Sequence, residues 1–159
     1  MVVIGVGNAL RHDDAAGLEV TCRLRARLHA GENAVRTEFA VREHEGEPLA
    51  LIDLWEGAGA VVLVDAIRSG AAPGTIHRVE ASHEPIPARL RGSSSTHAVG
   101  VGEAIELARA LGRLPARVVV YGVEGLYFDA GSGLSEEVQG AIDSLTDAVL
   151  GEACSLASC

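Results

Sequence analysis

Lysine is absent from this 159-residue chain, and all 13 basic side chains are arginine. Positive charge is also scarce: 22 acidic residues give a formal net charge of −9. That balance excludes a generic nucleic-acid or anionic-membrane binder, because both attract basic patches. No run reaches the ~18 consecutive apolar residues of a membrane span. The N-terminus enters an aliphatic segment at once, without the basic-then-apolar opening of a signal peptide, so a cytoplasmic protein is expected. Cys22, Cys154 and Cys159 form no CxxC pair, which leaves neither a disulfide framework nor a zinc knuckle. Cys22 falls within a helical stretch and reads as a small core residue. Aromatics are only 3% of the chain, so a core must be built from Val, Leu, Ile and Ala.

The hydrophobic fraction is nonetheless 48%, enough for one buried core, and the length suits one domain rather than two. Val2–Val6 is a short aliphatic run that stops at Gly7-Asn8. From Asp13 to about His29, Leu18, Cys22, Leu24 and Leu28 form the stripe of an amphipathic helix, opened by two acidic residues. Val35–Val41 reads as a strand. Glu47–Glu56 reads as a helix with Leu49, Ile52 and Trp55 inward. Ala60–Asp65 is the least ambiguous strand, ending in a carboxylate. Ser69–Gly74 is loop, Thr75–Val79 strand, and Ser82–Thr96 an exposed loop. His97–Leu111 is helix, Arg117–Val123 strand and Leu134–Leu150 the closing helix. The alternation predicts an α/β fold: a single domain over residues 1–152 with a twisted, mostly parallel sheet of about five strands and helices on both faces. Residues 153–159 are expected to be a flexible tail.

Gly5 and Gly7 superficially open a dinucleotide fingerprint, but Leu10 stands where the third glycine is needed. Asp13 and Asp14 would also repel a pyrophosphate at the helix start. A nucleotide-binding regulator is therefore the poorest reading, whereas a cation suits this loop well. Asp65 is expected at the same carboxyl edge of the sheet, the edge where open α/β sheets bind ligands. His97, after a polar loop, is able to reach back over it. Each residue has a plainer role. Asp13 suits a helix cap, Asp14 a partner of the helix dipole, Asp65 a turn cap and His97 a surface position. Their convergence on one edge points instead to an N/O site for a divalent first-row metal. Glu124 ends a strand at that edge, either as an outer carboxylate or in a structural role. Other protease templates fail. His44-Glu45 and His83-Glu84 begin like HExxH, yet Pro48 and Pro87 occupy the fifth positions. No GxSxG elbow occurs.

The pattern Gly-x-Gly-Asn-x-Leu-x-x-Asp-Asp-x-x-Gly from Gly5 to Gly17 resembles the opening motif of the hydrogenase maturation endopeptidases. Val64-Asp65-Ala66, Ser95-Thr96-His97, Pro73-Gly74-Thr75, Tyr121-Gly-Val-Glu124 and Gly133-Leu-Ser-Glu-Glu-Val138 resemble its later segments, in order. One departure stands out: Glu45-Gly46-Glu47 replaces a Gly-Gly-Thr-like loop. The resemblance implies that Asp14, Asp65 and His97 are the catalytic, metal-binding residues. It also implies a protease that trims a C-terminal extension from the large-subunit precursor of a nickel–iron hydrogenase. Nickel would arrive with that precursor. Asp14 or Asp13 would accept the proton from the attacking water. The alternative is a non-catalytic nickel-sensing module that docks on the precursor without cutting it.

Overall fold

The computed structural model describes residues 1–30, 39–87 and 100–157. Five strands form one sheet: β1 (Val2–Val6), β2 (Ala40–His44), β3 (Ala60–Ile67), β4 (Ile76–Glu80) and β5 (Arg117–Glu124), in the order β2-β1-β3-β5-β4. The pairings β1–β2, β1–β3 and β3–β5 are parallel, and β4 closes the edge antiparallel to β5. Among the described residues four α-helices flank the sheet: α1 (Ala16–His29), α2 (Pro48–Leu54), α3 (Val101–Ala110) and α4 (Glu136–Ala157). The expected single-domain, mostly parallel α/β architecture is thus present.

Burial explains why β3 shows no polar alternation: all eight of its residues are buried. Val62, Val64 and Ala66 join Val20 and Leu24 of α1 and Ile142 and Leu145 of α4 in one core cluster. Val61 and Leu63 face the other way, joining Leu51 and Ile52 of α2 and Ala104 and Ile105 of α3. Strands covered on both faces read as continuous aliphatic runs. The aromatic-poor composition fits these layers of Val, Leu, Ile and Ala.

Several element boundaries and side-chain directions differ from the sequence reading. His12–Ala15 is a 3-10 turn, and α1 begins at Ala16 rather than Asp13. Cys22 is exposed, because Val20, Thr21 and Leu24 occupy the inward positions of α1. Residues 35–38 of the second expected strand lie outside the described residues; β2 runs from Ala40 to His44. Glu47 caps α2, its carboxylate accepting from the amides of Leu49 (3.1 Å) and Ala50 (2.8 Å). A start at Pro48 turns Leu51, Ile52 and Trp55 inward and leaves Leu49 53% exposed. Within the loop expected to be exposed, Ser82 and Ile86 are buried. The Ser82 hydroxyl accepts from the Val118 amide at 2.8 Å. The helix expected from His97 begins at Val101, after Gly100 as N-cap. Where a flexible tail was expected from residue 153, α4 continues to Ala157 with Ala153 buried. Ser158 and Cys159 lie outside the described residues.

A close helix–sheet approach positions the site. A Cβ on Gly17 would lie 2.4 Å from the carbonyl oxygens of both Val6 and Val64. The start of α1 therefore sits directly on the carboxyl ends of β1 and β3, which brings the Asp13-Asp14 turn to Asp65. Only glycine permits that contact.

Candidate functional site

The loop after β1 folds back on itself. Gly7 has φ +150°, and a Cβ there would sit 1.8 Å from the Asp14 carbonyl oxygen. The Asn8 side chain accepts from the Leu10 amide at 2.9 Å, and the Asn8 amide donates to the Asp14 carboxylate at 3.1 Å. Asp14 is half-buried at this turn.

Asp65 is 9% exposed and pairs in register with Gly122 of β5. The strand runs on to Ile67, so Asp65 lies two residues inside its end. Burial pushes the Asp65 carboxyl well above the usual carboxylate range. The negative charge of Asp14 pushes it further, and the Ala66 amide only partly offsets them. Burial first, and the Asp14 charge second, thus oppose ionisation of Asp65 at the carboxyl edge of the sheet. A cation or a proton relieves that cost.

Asp13 points elsewhere. It is fully buried, and its carboxylate accepts four hydrogen bonds: from the amides of Leu126 (2.7 Å), Tyr127 (3.0 Å) and Ser135 (2.6 Å), and from the Ser135 hydroxyl (2.9 Å). It fastens the β5–α4 connection to the β1 loop. Burial alone would raise its pKa, but these donors outweigh it and the pKa is lowered. The neighbouring backbone bridge between Arg11 and Gly131, and the Arg11 guanidinium donating to the Phe128 carbonyl, tie the same two loops.

Glu124 is structural as well. It is 2% exposed and accepts from the amides of Ser69 and Gly70 and from the Ser69 hydroxyl at 2.7–3.0 Å, which fixes the loop after β3.

His97 lies outside the described residues. Among the described residues no group of three His, Cys, Asp or Glu side chains is placed to hold a metal ion. The described site is thus a carboxylate pair. Its chemistry, two hard oxygen ligands on different elements, fits part of a divalent-metal site that an imidazole would complete. Sequence reasoning held Asn8 and Ser135 within motifs without foreseeing their hydrogen bonds to Asp14 and Asp13, and it missed the Arg11–Phe128 tie. Ser135, placed before Glu136 and Glu137, carried the signal of a helix start; the partners of Asn8 and Arg11 left no trace in the sequence.

The sequence profile of the hydrogenase maturation proteases matches residues 46–152. A protein of Methanocaldococcus jannaschii assigned to the hydrogenase maturation proteases is 30% identical over 155 residues, covering 96% of this chain and 95% of its own. The hydrogenase expression/formation protein HupD of Rhodobacter capsulatus is 30% identical over 90% of this chain, which spans 66% of the HupD length. The fold superposes on the hydrogenase maturating endopeptidase HybD of Escherichia coli with a TM-score of 0.77 and 25% identity, covering 95% of this chain and 90% of that one. The corresponding protease HybD of Thermococcus kodakarensis gives a TM-score of 0.73 at 25% identity, covering 96% and 97%. By profile, by sequence identity across nearly its full length and by fold, this chain belongs to the hydrogenase maturation protease family.

Proposed function

We propose that the protein is an endopeptidase that removes a C-terminal extension from the large-subunit precursor of a nickel–iron hydrogenase, using the nickel that the precursor carries. The observation that carries this reading is that a chain of the hydrogenase maturation protease family sets the half-buried Asp14 and the buried Asp65 together at the carboxyl edge of the sheet. A buried carboxylate beside another acidic group is costly unless a cation or proton joins them, and a nickel ion presented by the substrate would supply the cation.

Asp14, Asp65 and His97 are the residues that would meet the nickel. A divalent ion there polarises a carbonyl or a water. Asp14 is half-buried and held by the Asn8 amide, so it suits the acceptor of the proton from the attacking water. Asp13, fully buried and saturated by four donors, does not. The water oxygen joins the scissile carbonyl carbon, the C–N bond breaks, and the proton passes to the departing amine. Without a cation, the same two residues would have to work as an aspartic-type pair sharing one proton.

The partner is the precursor. A net charge of −9 disfavours nucleic acid, and no helix among the described residues is long and apolar enough to cross a membrane. A cytoplasmic location belongs to this proposal.

The test is intact-mass analysis of nickel-loaded and nickel-free precursor after incubation with the protein. Shortening of the nickel-loaded form alone is expected. Stable binding with no change in precursor mass would instead establish a non-catalytic nickel-sensing module and overturn the protease reading.

A further inference from the structure

Arg68 follows β3 directly, three residues beyond Asp65, and is exposed. Its guanidinium carbon sits 4.8 Å above the centroid of the Phe128 ring. Phe128 is itself buried and packs so tightly on Gly125 that a Cβ there would lie 2.4 Å from the ring. The backbone beside Arg68 is equally fixed, because buried Glu124 binds the amides of Ser69 and Gly70. The guanidinium thus rests on an aromatic platform, and the backbone that follows Arg68 is fixed by the Glu124 carboxylate.

Among the described residues the cation has no carboxylate of its own. Arg23, Arg25, Arg27, Arg78, Arg109, Arg113 and Arg117 all have acidic partners within 4.0 Å. Among the described residues no such ion pair involves Arg68. Arg42 also lacks one, but it lies on edge strand β2, separated from β3 by β1. In a chain with 22 acidic residues, an exposed arginine resting on an aromatic ring at the carboxyl edge, with no ion pair among the described residues, leaves its charge open to a carboxylate from outside. A guanidinium over an aromatic ring engages through its face, and its in-plane N–H edge stays free for the bidentate geometry a carboxylate prefers. Leu126 and Tyr127, 38% and 52% exposed, stand on the same β5–α4 connection as Phe128. They line a cleft with His12, Ser135, Glu136 and Glu137, so mixed apolar and acidic surface adjoins the connection that carries the cation's platform.

We propose that Arg68 is a substrate-positioning residue that binds a carboxylate of the peptide being cut and so sets the alignment of that peptide across the Asp14–Asp65 pair. This rests on the endopeptidase reading above. The carboxylate is either an acidic side chain of the extension or the chain's own C-terminal carboxylate, and the two share one chemistry.

The experiment compares wild type, Arg68→Ala and Arg68→Lys on three nickel-loaded precursors: the native one, one with the acidic side chains of its extension changed to amides, and one ending in a C-terminal amide. For Arg68→Ala a 10- to 100-fold rise in KM is expected, with kcat within about twofold, as for loss of a charge-assisted hydrogen bond made equally in ground and transition states. Arg68→Lys should recover part of the loss, because charge remains without the fork. On the precursor lacking the responsible carboxylate, wild type should show the same rise and Arg68→Ala no further one. Whichever arm shows this non-additivity names the source. An unchanged KM in Arg68→Ala, or losses that add in both arms, would overturn the assignment while leaving the protease reading intact. A wild-type protein that neither binds nor cuts the native precursor would overturn both.

Discussion

Adjacent aspartates in the β1–α1 turn should respond to the same substitution in opposite ways. In Asp13→Asn the side chain keeps a single acceptor oxygen for four donors. If that oxygen takes the position facing Leu126, Tyr127 and the Ser135 hydroxyl, the new NH2 meets the Ser135 amide, which now donates at 2.6 Å. The reverse orientation forfeits more. Losing one charge-assisted bond and opposing two donors in a buried site costs about 2–4 kcal/mol, or a fall in Tm on the order of 5–15 °C at this chain length. Asp14→Asn keeps an acceptor for the Asn8 amide and removes the repulsion on Asp65. Its stability should stay within about 1 kcal/mol of wild type, while precursor processing is lost. Urea denaturation at pH 7, paired with a processing assay, separates the two. The pH dependence adds a signature. The Asp13 pKa is lowered on folding, so its contribution is complete above about pH 4 and disappears as pH falls through the folded value. Asp13→Asn should flatten that acid limb. Stability of Asp13→Asn within 0.5 kcal/mol of wild type would refute the assigned role of Asp13.

Asp65→Asn should stabilise the metal-free protein at pH 7 by at least about 1 kcal/mol and converge with wild type below about pH 4. The folded Asp65 pKa is raised, so the wild type loses stability as pH climbs from the ordinary carboxylate value through the folded one; denaturant titrations at both pH values check this. Glu152, whose pKa is lowered chiefly by the Arg78 hydrogen bonds at 2.7 and 3.0 Å, gives the ordinary sign. Glu152→Gln should cost about 1–2 kcal/mol at neutral pH and nothing once the wild-type carboxylate is itself protonated, as read from melting curves between pH 2 and 7. Gly7→Ala drives a Cβ to within 1.8 Å of the Asp14 carbonyl at φ +150°, and should cost about 3 kcal/mol or more. Soluble Gly7→Ala protein processing precursor at the wild-type rate would contradict the placement of the turn.

The layers of the fold were legible because β1, β3 and β5 are buried on both faces, which leaves an aliphatic signature that nothing else in the chain shares. The edge strands were harder. β2 is exposed at alternate and adjacent positions, so its limits carry little hydrophobic signal, and the antiparallel direction of β4 depends on pairing with β5 rather than on local composition. Inward positions on short helices failed where the start was misplaced by one residue, as Leu49 and Leu51 show. At the site, the strand ends put Asp14 and Asp65 at one edge in the sequence, and in the structure the Asp14 charge acts on Asp65. Spacing could not tell Asp13 from Asp14, because what distinguishes them is four donors from residues 126–135, more than 100 positions away in sequence. Likewise Glu124 reads as a carboxylate at the edge until the amides of Ser69 and Gly70 are seen to enclose it.

The convergence of Asp14, Asp65 and His97 on the nickel of the precursor is tested most directly by kcat/KM for Asp14→Asn, Asp65→Asn and His97→Ala on one nickel-loaded precursor, each variant first shown to be folded. Losses of about 100-fold or more are predicted in all three, the scale expected when a group acting on the reacting atoms is removed. Processing by any of the three at the wild-type rate would contradict it.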